Sequence, residues 1–315
     1  MAFPVMTLAF SIAPSVARDF SLMIQSCGMT AAAFTIFFMK VKIEWYSLVF
    51  CSIGGVVGTI FGLEIVDPLL DPDMKKMLYV SIWWSSSSTL FFLNILQPRK
   101  TCEKLESMSV GKLSVMIGTG ILGGIFTSFA GSGINICCFS ILTLFFRLSE
   151  KVATPIAVVL MAGNSLLGFF WRGMIMKTIS VEAWEFMTVC VPVVVISAPL
   201  GSFIGSHFHR HVLAGLVCLI DSAALVGAFA LVPQTPLLSG VSAGIILGGI
   251  VFFFIINKIG GWIILREEMH TYRTARNHMV SLSDIPTVVS FVGSSVLGSS
   301  VANSLNQSAE RLPSH

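Results

Sequence analysis

The residues best suited to hold a small solute lie in one stretch, Thr127-Ser128-Phe129-Ala130-Gly131-Ser132-Gly133-Ile134-Asn135, preceded by Gly123-Gly124. Its hydroxyls and its amide are neutral hydrogen-bonding groups, and its glycines permit a bend and let a ligand approach the backbone. Amide hydrogens left free where a helix restarts near Ile134 favour negative charge. On that chemistry Gly131, Ser132, Gly133 and Asn135 are candidate ligands for an anion. The same small residues equally suit tight helix packing, and on sequence alone both readings stand.

Other polar residues sit inside apolar runs. Asn164 and Ser165 fall mid-run and can face a cavity, or tie neighbouring helices together. Asp221, in Leu219-Ile220-Asp221-Ser222, stands near the centre of its run. An ionisable group at such depth is costly and is a candidate for function, here as a proton carrier, against the alternative of a polar contact to a neighbouring helix. Arg18 and Asp19 are expected to pair with each other, and Arg18 can alternatively attract an anion. Pro155 is expected at the first position of its helix, where its missing N–H costs nothing.

Enzyme chemistry finds little support. Ala130-Gly131-Ser132-Gly133 approaches the Gly-x-Ser-Gly of intramembrane serine proteases, but alanine replaces the first glycine. None of His207, His209, His211, His270, His278 and His315 lies mid-run. Without a base Ser132 is not activated. There is no HExxH, no phosphate-binding loop and no CxxC or His-Cys cluster, so neither catalysis nor a metal or cofactor is expected. Cys27, Cys51, Cys137, Cys138, Cys190 and Cys218 lie in apolar surroundings and read as small packing residues.

The elements that must position these residues follow from composition. The chain has 315 residues, 55% hydrophobic and 11% charged, with a mean hydropathy of +0.87. Soluble domains carry about 25% charged residues, and lipid is the solvent that accommodates the difference. The net charge of +3 is small, with no basic stripe, so no nucleic-acid partner is expected. The partners expected are the bilayer, a small anion and, as an open alternative, further copies of the chain.

Spans are expected at 17–38, 45–66, 77–96, 152–171, 183–206, 212–232 and 241–265. The stretch 112–146 is too long for one span and is expected to form a hairpin of two short helices bent at Gly131–Gly133. Lys40 and Lys42, then Arg99, Lys100 and Lys104, then Lys151, Arg210, Arg266, Arg273 and Arg276 all fall on one side if that hairpin enters and leaves together. Placing them in the cytoplasm satisfies the positive-inside rule, with Arg172 and Lys177 as its exception.

The chain also repeats itself. Phe3–Phe38 aligns with Phe139–Met174 at constant offset, through Phe3/Phe139, Thr7/Thr143, Leu8/Leu144, Phe10/Phe146, Val16/Val152, Ala17/Ala153 and Phe34/Phe170. Further on, Gly58 and Gly62 pair with Gly201 and Gly205. On the orientation above the copies face opposite ways, an arrangement characteristic of secondary transporters. The Gly-rich arm that opens the second copy has no counterpart in the first. The expectation is a truncated N-terminus or a variant lacking half of one hairpin.

The Gly-rich arm, the loop Gly131-Ser132-Gly133, the short apolar arm, Glu150-Lys151-Val152-Ala153-Thr154-Pro155, Trp171-Arg172-Gly173 and the Gly201/Gly205 span, in that order, resemble the sulfite exporter TauE/SafE family of membrane transporters. The resemblance covers most of 1–232. It implies two inverted halves, export of sulfite, sulfonates or related organosulfur anions, and a site at Gly131, Ser132, Gly133, Asn135 and Pro155.

The fold expected is therefore an all-α polytopic helical bundle in the membrane, with two inverted repeats, each built around a broken helical hairpin, the first incomplete. Its parts are a first repeat at 1–98, a cytoplasmic linker at 99–111, a second repeat at 112–232, an additional helix at 241–265 and a flexible cytoplasmic tail at 266–315. The expected function is secondary transport of a small organosulfur anion by alternating access in the plasma membrane. The competing expectation is a non-transporting membrane scaffold or regulatory protein, or an inactive family member.

Overall fold

The computed structural model describes residues 2–96, 110–207, 210–233 and 235–283. The linker expected at 99–111 lies mostly outside them, as do residues 284–315 of the expected tail. The chain divides into two compact units, Met1–Gly261 and Trp262–His315.

The order of elements begins with α1 (Ala2–Pro4), α2 (Pro14–Phe38), α3 (Trp45–Phe61), α4 (Asp67–Leu69) and α5 (Pro72–Leu96). It continues with α6 (Val110–Ala130), α7 (Ile134–Ser140), α8 (Glu150–Phe170), α9 (Val181–His207), α10 (Arg210–Leu231) and α11 (Pro236–Ser283). Wider π-helical turns at Val5–Ala9, Gly62–Val66, Ile141–Phe145 and Trp171–Ile175 join or extend them. Among the described residues 6 helices are long and apolar enough to cross a membrane, and the protein is a multi-pass integral membrane protein. Helix α11 runs on to Ser283, through the first part of the segment read as tail from the sequence.

The burial pattern places α2 and α8 at the centre of the first unit: 61% of each apolar window is buried, against 6% for α9. Glycines set how closely α3 and α6 approach. A methyl added at Gly58 would meet the Ile121 carbonyl oxygen, and one at Gly120 would meet the Cys51 oxygen. One at Gly124 would lie 2.5 Å from the Gly55 oxygen. Each helix thus presses backbone on backbone, the packing role that small residues serve in membranes. Gly201, which the repeat pairs with Gly58, has nothing within 4 Å.

The repeat is visible in local backbone. Val5–Ala9 and Ile141–Phe145 are both π turns, closed by Phe10 N–H to the Val5 oxygen at 3.3 Å and Phe146 N–H to the Ile141 oxygen at 3.1 Å. Ile12 N–H then bonds the Met6 oxygen at 3.0 Å, and Leu148 N–H the Leu142 oxygen at 2.9 Å. The Thr7 hydroxyl donates to the Phe3 oxygen at 2.8 Å, as the Thr143 hydroxyl does to Phe139 at 2.7 Å. Ser11 and Arg147 follow at φ 52° and 53°. Side chains of different size and charge share one unusual conformation here, so the path of the chain, and not the identity of the residue, is what repeats.

Pro155 is not at the first position of its helix. Ser149 precedes α8 in extended backbone and its carbonyl accepts the Val152 and Ala153 N–H groups at 2.9 and 3.0 Å, so the helix already begins at Glu150. Pro155 lies within the second turn, where it removes the N–H that the Lys151 carbonyl would otherwise receive. That residue is exposed, close enough to the end of the helix for the loss to be tolerated.

Candidate functional site

The break falls where the sequence places it, but the arm before it, Val110–Ala130, has 21 residues and is long enough to cross a membrane alone, not the short helix expected. Helix α6 ends at Ala130, Gly131 takes φ +74°, and α7 restarts at Ile134. A positive φ costs an L-residue energy that glycine avoids. A Cβ at Gly131 would also lie 2.5 Å from the Ser21 Cβ and 2.7 Å from the Arg18 carbonyl oxygen, so the break is pressed against α2. Gly133 sits at φ −172°, which any residue adopts, and is required for space: its Cβ would stand 2.6 Å from the Phe126 Cβ.

Thr127 staples the two arms. Its hydroxyl donates to the Gly123 oxygen at 2.9 Å and accepts the Ile134 N–H at 3.1 Å. Gly123 leaves room for the returning arm, since its Cβ would lie 2.7 Å from the Ile134 Cα. The glycines of this stretch therefore divide by role. Gly120 and Gly124 pack α6 on α3, Gly123 admits α7, and Gly131 with Gly133 make the turn.

Around the break lies an uncharged polar cluster. Asn164 is buried; its Oδ1 accepts the Thr59 hydroxyl at 3.0 Å while its Nδ2 has no partner. Ser165 is buried with an unpartnered hydroxyl, and the Asn135 Oδ1 and the Ser21 Oγ are likewise buried and unpartnered. Ser132 is buried as well. Gly55 brings Ile134 and Asn164 together: its Cβ would lie 2.5 Å from the Ile134 Cδ1 and 3.2 Å from the Asn164 Oδ1. Buried polar atoms without partners are uncommon in folded proteins, and here Ser21 stands against Gly131 and Asn164 beside Ile134. They are neutral donors and acceptors suited to a solute that brings its own charge.

Not every candidate joins them. Pro155 precedes Asn164 by more than two turns of α8, so it stands about 13 Å away along the helix axis. Asp221 is buried on α10 against α5, with Ser87 and Tyr79 near it, its Oδ2 unpartnered, and Trp84 Nε1–H donating to the adjacent Ser222 at 2.9 Å. It belongs to the α5–α10 pairing and not to the break.

Arg18 pairs with Asp19 as expected, at 2.9 Å, but the pair is part of a larger array. Arg18 also bonds Asp67, and Lys75 reaches Asp67 at 2.8 Å. Arg172 grips Asp19 with Nε to Oδ1 at 3.0 Å and Nη2 to Oδ2 at 2.8 Å. Sequence reasoning missed Asp67, Lys75, Ser21 and Thr59. One signal pointed toward the array: Arg172 broke the positive-inside pattern. Being buried against Asp19, it is no loop charge at all.

A family model described as Sulfite exporter TauE/SafE matches residues 1–227. No curated protein and no solved structure matches the chain.

Proposed function

Because the chain belongs to the sulfite exporter TauE/SafE family, we propose that this membrane transporter moves sulfite, a sulfonate or a related organosulfur anion by alternating access. The observation that carries the reading is the interruption at Gly131–Gly133 with unpartnered polar atoms of Asn135, Asn164 and Ser165 buried nearby. Irregular backbone inside a membrane bundle is tolerated where protein or a polar cavity satisfies it, and secondary transporters hold their substrates at broken helices. Gly131, Ser132, Gly133 and Asn135 would contact the anion from the loop, with Asn164 and Ser165 opposite. Pro155 would shape α8 without touching the solute.

In this reading the two repeats face opposite ways and rock around the site, in the plasma membrane, with the C-terminal segment cytoplasmic. The matching π turns and left-handed residues of the two copies support an internal duplication. Asp221, away from the loop, would serve as a coupling group.

The test is uptake of radiolabelled sulfite by the purified full chain in sealed proteoliposomes. Flux above protein-free vesicles is expected, with loss in Ser132→Leu and Asn135→Leu at normal expression. Unchanged flux in both variants removes the loop as the site. No flux of sulfite or sulfonates in the wild type favours the scaffold reading.

A further inference from the structure

The array around Arg18 contains more positive than negative charge. Arg18, Lys75 and Arg172 face Asp19 and Asp67, and all are buried, with between 2% and 9% of their surface exposed. Arg18 bridges the two carboxylates, Arg172 holds the far side of Asp19, and Lys75 the far side of Asp67. If Lys75 were neutral, the two arginines would balance the two aspartates with every carboxylate still paired. Among these five buried side chains Lys75 is the cation in excess, where an unbalanced charge is expensive; Glu64, one turn before Asp67, is exposed and takes the Trp171 indole N–H at 2.8 Å.

The backbone that carries Arg18 touches the break. Gly131 packs on the Arg18 carbonyl and on Ser21, one turn further along α2. The Ser21 side chain, against which Gly131 packs, is fully buried and its hydroxyl has no partner. The residues come from the N-terminal parts of α2 and α5, from α4 and from the π turn Trp171–Ile175.

We propose that the Arg18–Asp19–Asp67–Lys75–Arg172 array is an anion-capture site beside the Gly131 loop, whose excess positive charge, supplied by Lys75, attracts a small oxyanion. The inference rests on the transporter reading and deepens it. The neutral residues at the break shape the contact, while the array supplies the charge that those residues lack. An incoming anion completes the charge balance of the array and competes with Asp19 and Asp67 for their cations.

Lys75→Gln separates capture from architecture, because it removes the excess charge and leaves the three arginine–aspartate contacts in place. In proteoliposomes it is expected to raise the KM for sulfite about tenfold, the scale of one unit charge withdrawn from a partly buried site, with the maximal rate and the melting temperature preserved. Lys75→Arg should restore the KM. Lys76→Gln, which removes a charge from the neighbouring pair with Asp73, should leave it unchanged. Lys75→Met serves if the amide lowers folded yield. A second readout is the shift in melting temperature of detergent-purified protein with inorganic sulfite, expected in the wild type and reduced in Lys75→Gln.

An active Lys75→Gln protein with unchanged KM overturns the capture site and leaves the transporter reading intact. A wild-type protein without flux, but with a sulfite-induced shift that Lys75→Gln abolishes, overturns transport and keeps capture. Absence of both flux and shift overturns both.

Discussion

Asp19 is held between two guanidinium groups: Arg172 reaches both its oxygens, at 3.0 and 2.8 Å, and Arg18 reaches Oδ1 from the neighbouring position at 2.9 Å. One carboxylate thus ties the π turn after α8 to the start of α2. Removing it leaves two buried cations facing each other. Asp19→Asn is predicted to cost about 3–5 kcal/mol, read as a lower melting temperature in detergent. Exchanging the partners, as Asp19→Arg with Arg172→Asp, should recover part of the loss. A melting temperature equal to wild type in Asp19→Asn would show that the array does not hold the fold.

Two glycines of similar appearance in the sequence should respond in opposite ways. Gly131→Ala meets both a left-handed backbone and the Ser21 Cβ at 2.5 Å. The backbone alone costs about 1–2 kcal/mol, and the collision adds to it. Gly201→Ala meets open space within its helix and is expected to be neutral or to stabilise by up to about 1 kcal/mol. Thermal unfolding of the two variants side by side checks the contrast.

Thr127→Val keeps the shape of the side chain but withdraws the oxygen that accepts the Ile134 N–H. A buried amide left without its acceptor costs about 1–3 kcal/mol. A fall in melting temperature with retained expression is the expected outcome, and protection of the Ile134 amide against hydrogen exchange should fall in parallel.

Asn164→Leu removes the unpartnered Nδ2 together with the acceptor of the Thr59 hydroxyl. Sulfite uptake is expected to fall roughly tenfold, the scale of one lost polar contact. Thr59→Val, which deprives Asn164 of its orienting bond, should give a smaller loss. Equal uptake by all three proteins would place the solute elsewhere.

Ser11 and Arg147 hold the same left-handed conformation in the two copies. Ser11→Gly should stabilise by about 1 kcal/mol by relieving it. Arg147→Gly gains the same relief but loses the bond from Nη2 to the Asn257 oxygen at 3.2 Å, so its net effect should be smaller. Melting temperatures measured under one set of conditions compare the two.

Several features were legible in the residues themselves. The low charge and long apolar runs imply a membrane bundle, because no other solvent accommodates that surface. The Gly-Ser-Gly interruption at Gly131 locates the bend, because glycine tolerates backbone that other residues avoid. The similarity of Phe3–Phe38 to Phe139–Met174 is visible in the letters, and the structure adds that both begin with a π turn. All of these depend on local composition or local backbone preference.

Tertiary structure alone assigned Asp67, Lys75 and Arg172 to the array and sorted the glycines. Whether Arg172 is a loop charge or the partner of Asp19 depends on which helix ends meet, and those residues lie far apart in the chain. Gly120 and Gly131 look alike as letters, yet one admits a neighbouring helix and the other turns the chain. The start of α8 five residues before Pro155 came from the Ser149 carbonyl accepting two amides, a contact that proline's own preference does not reveal. Coulomb attraction and close packing act between residues distant in sequence, so their outcome becomes visible only when the helices are assembled.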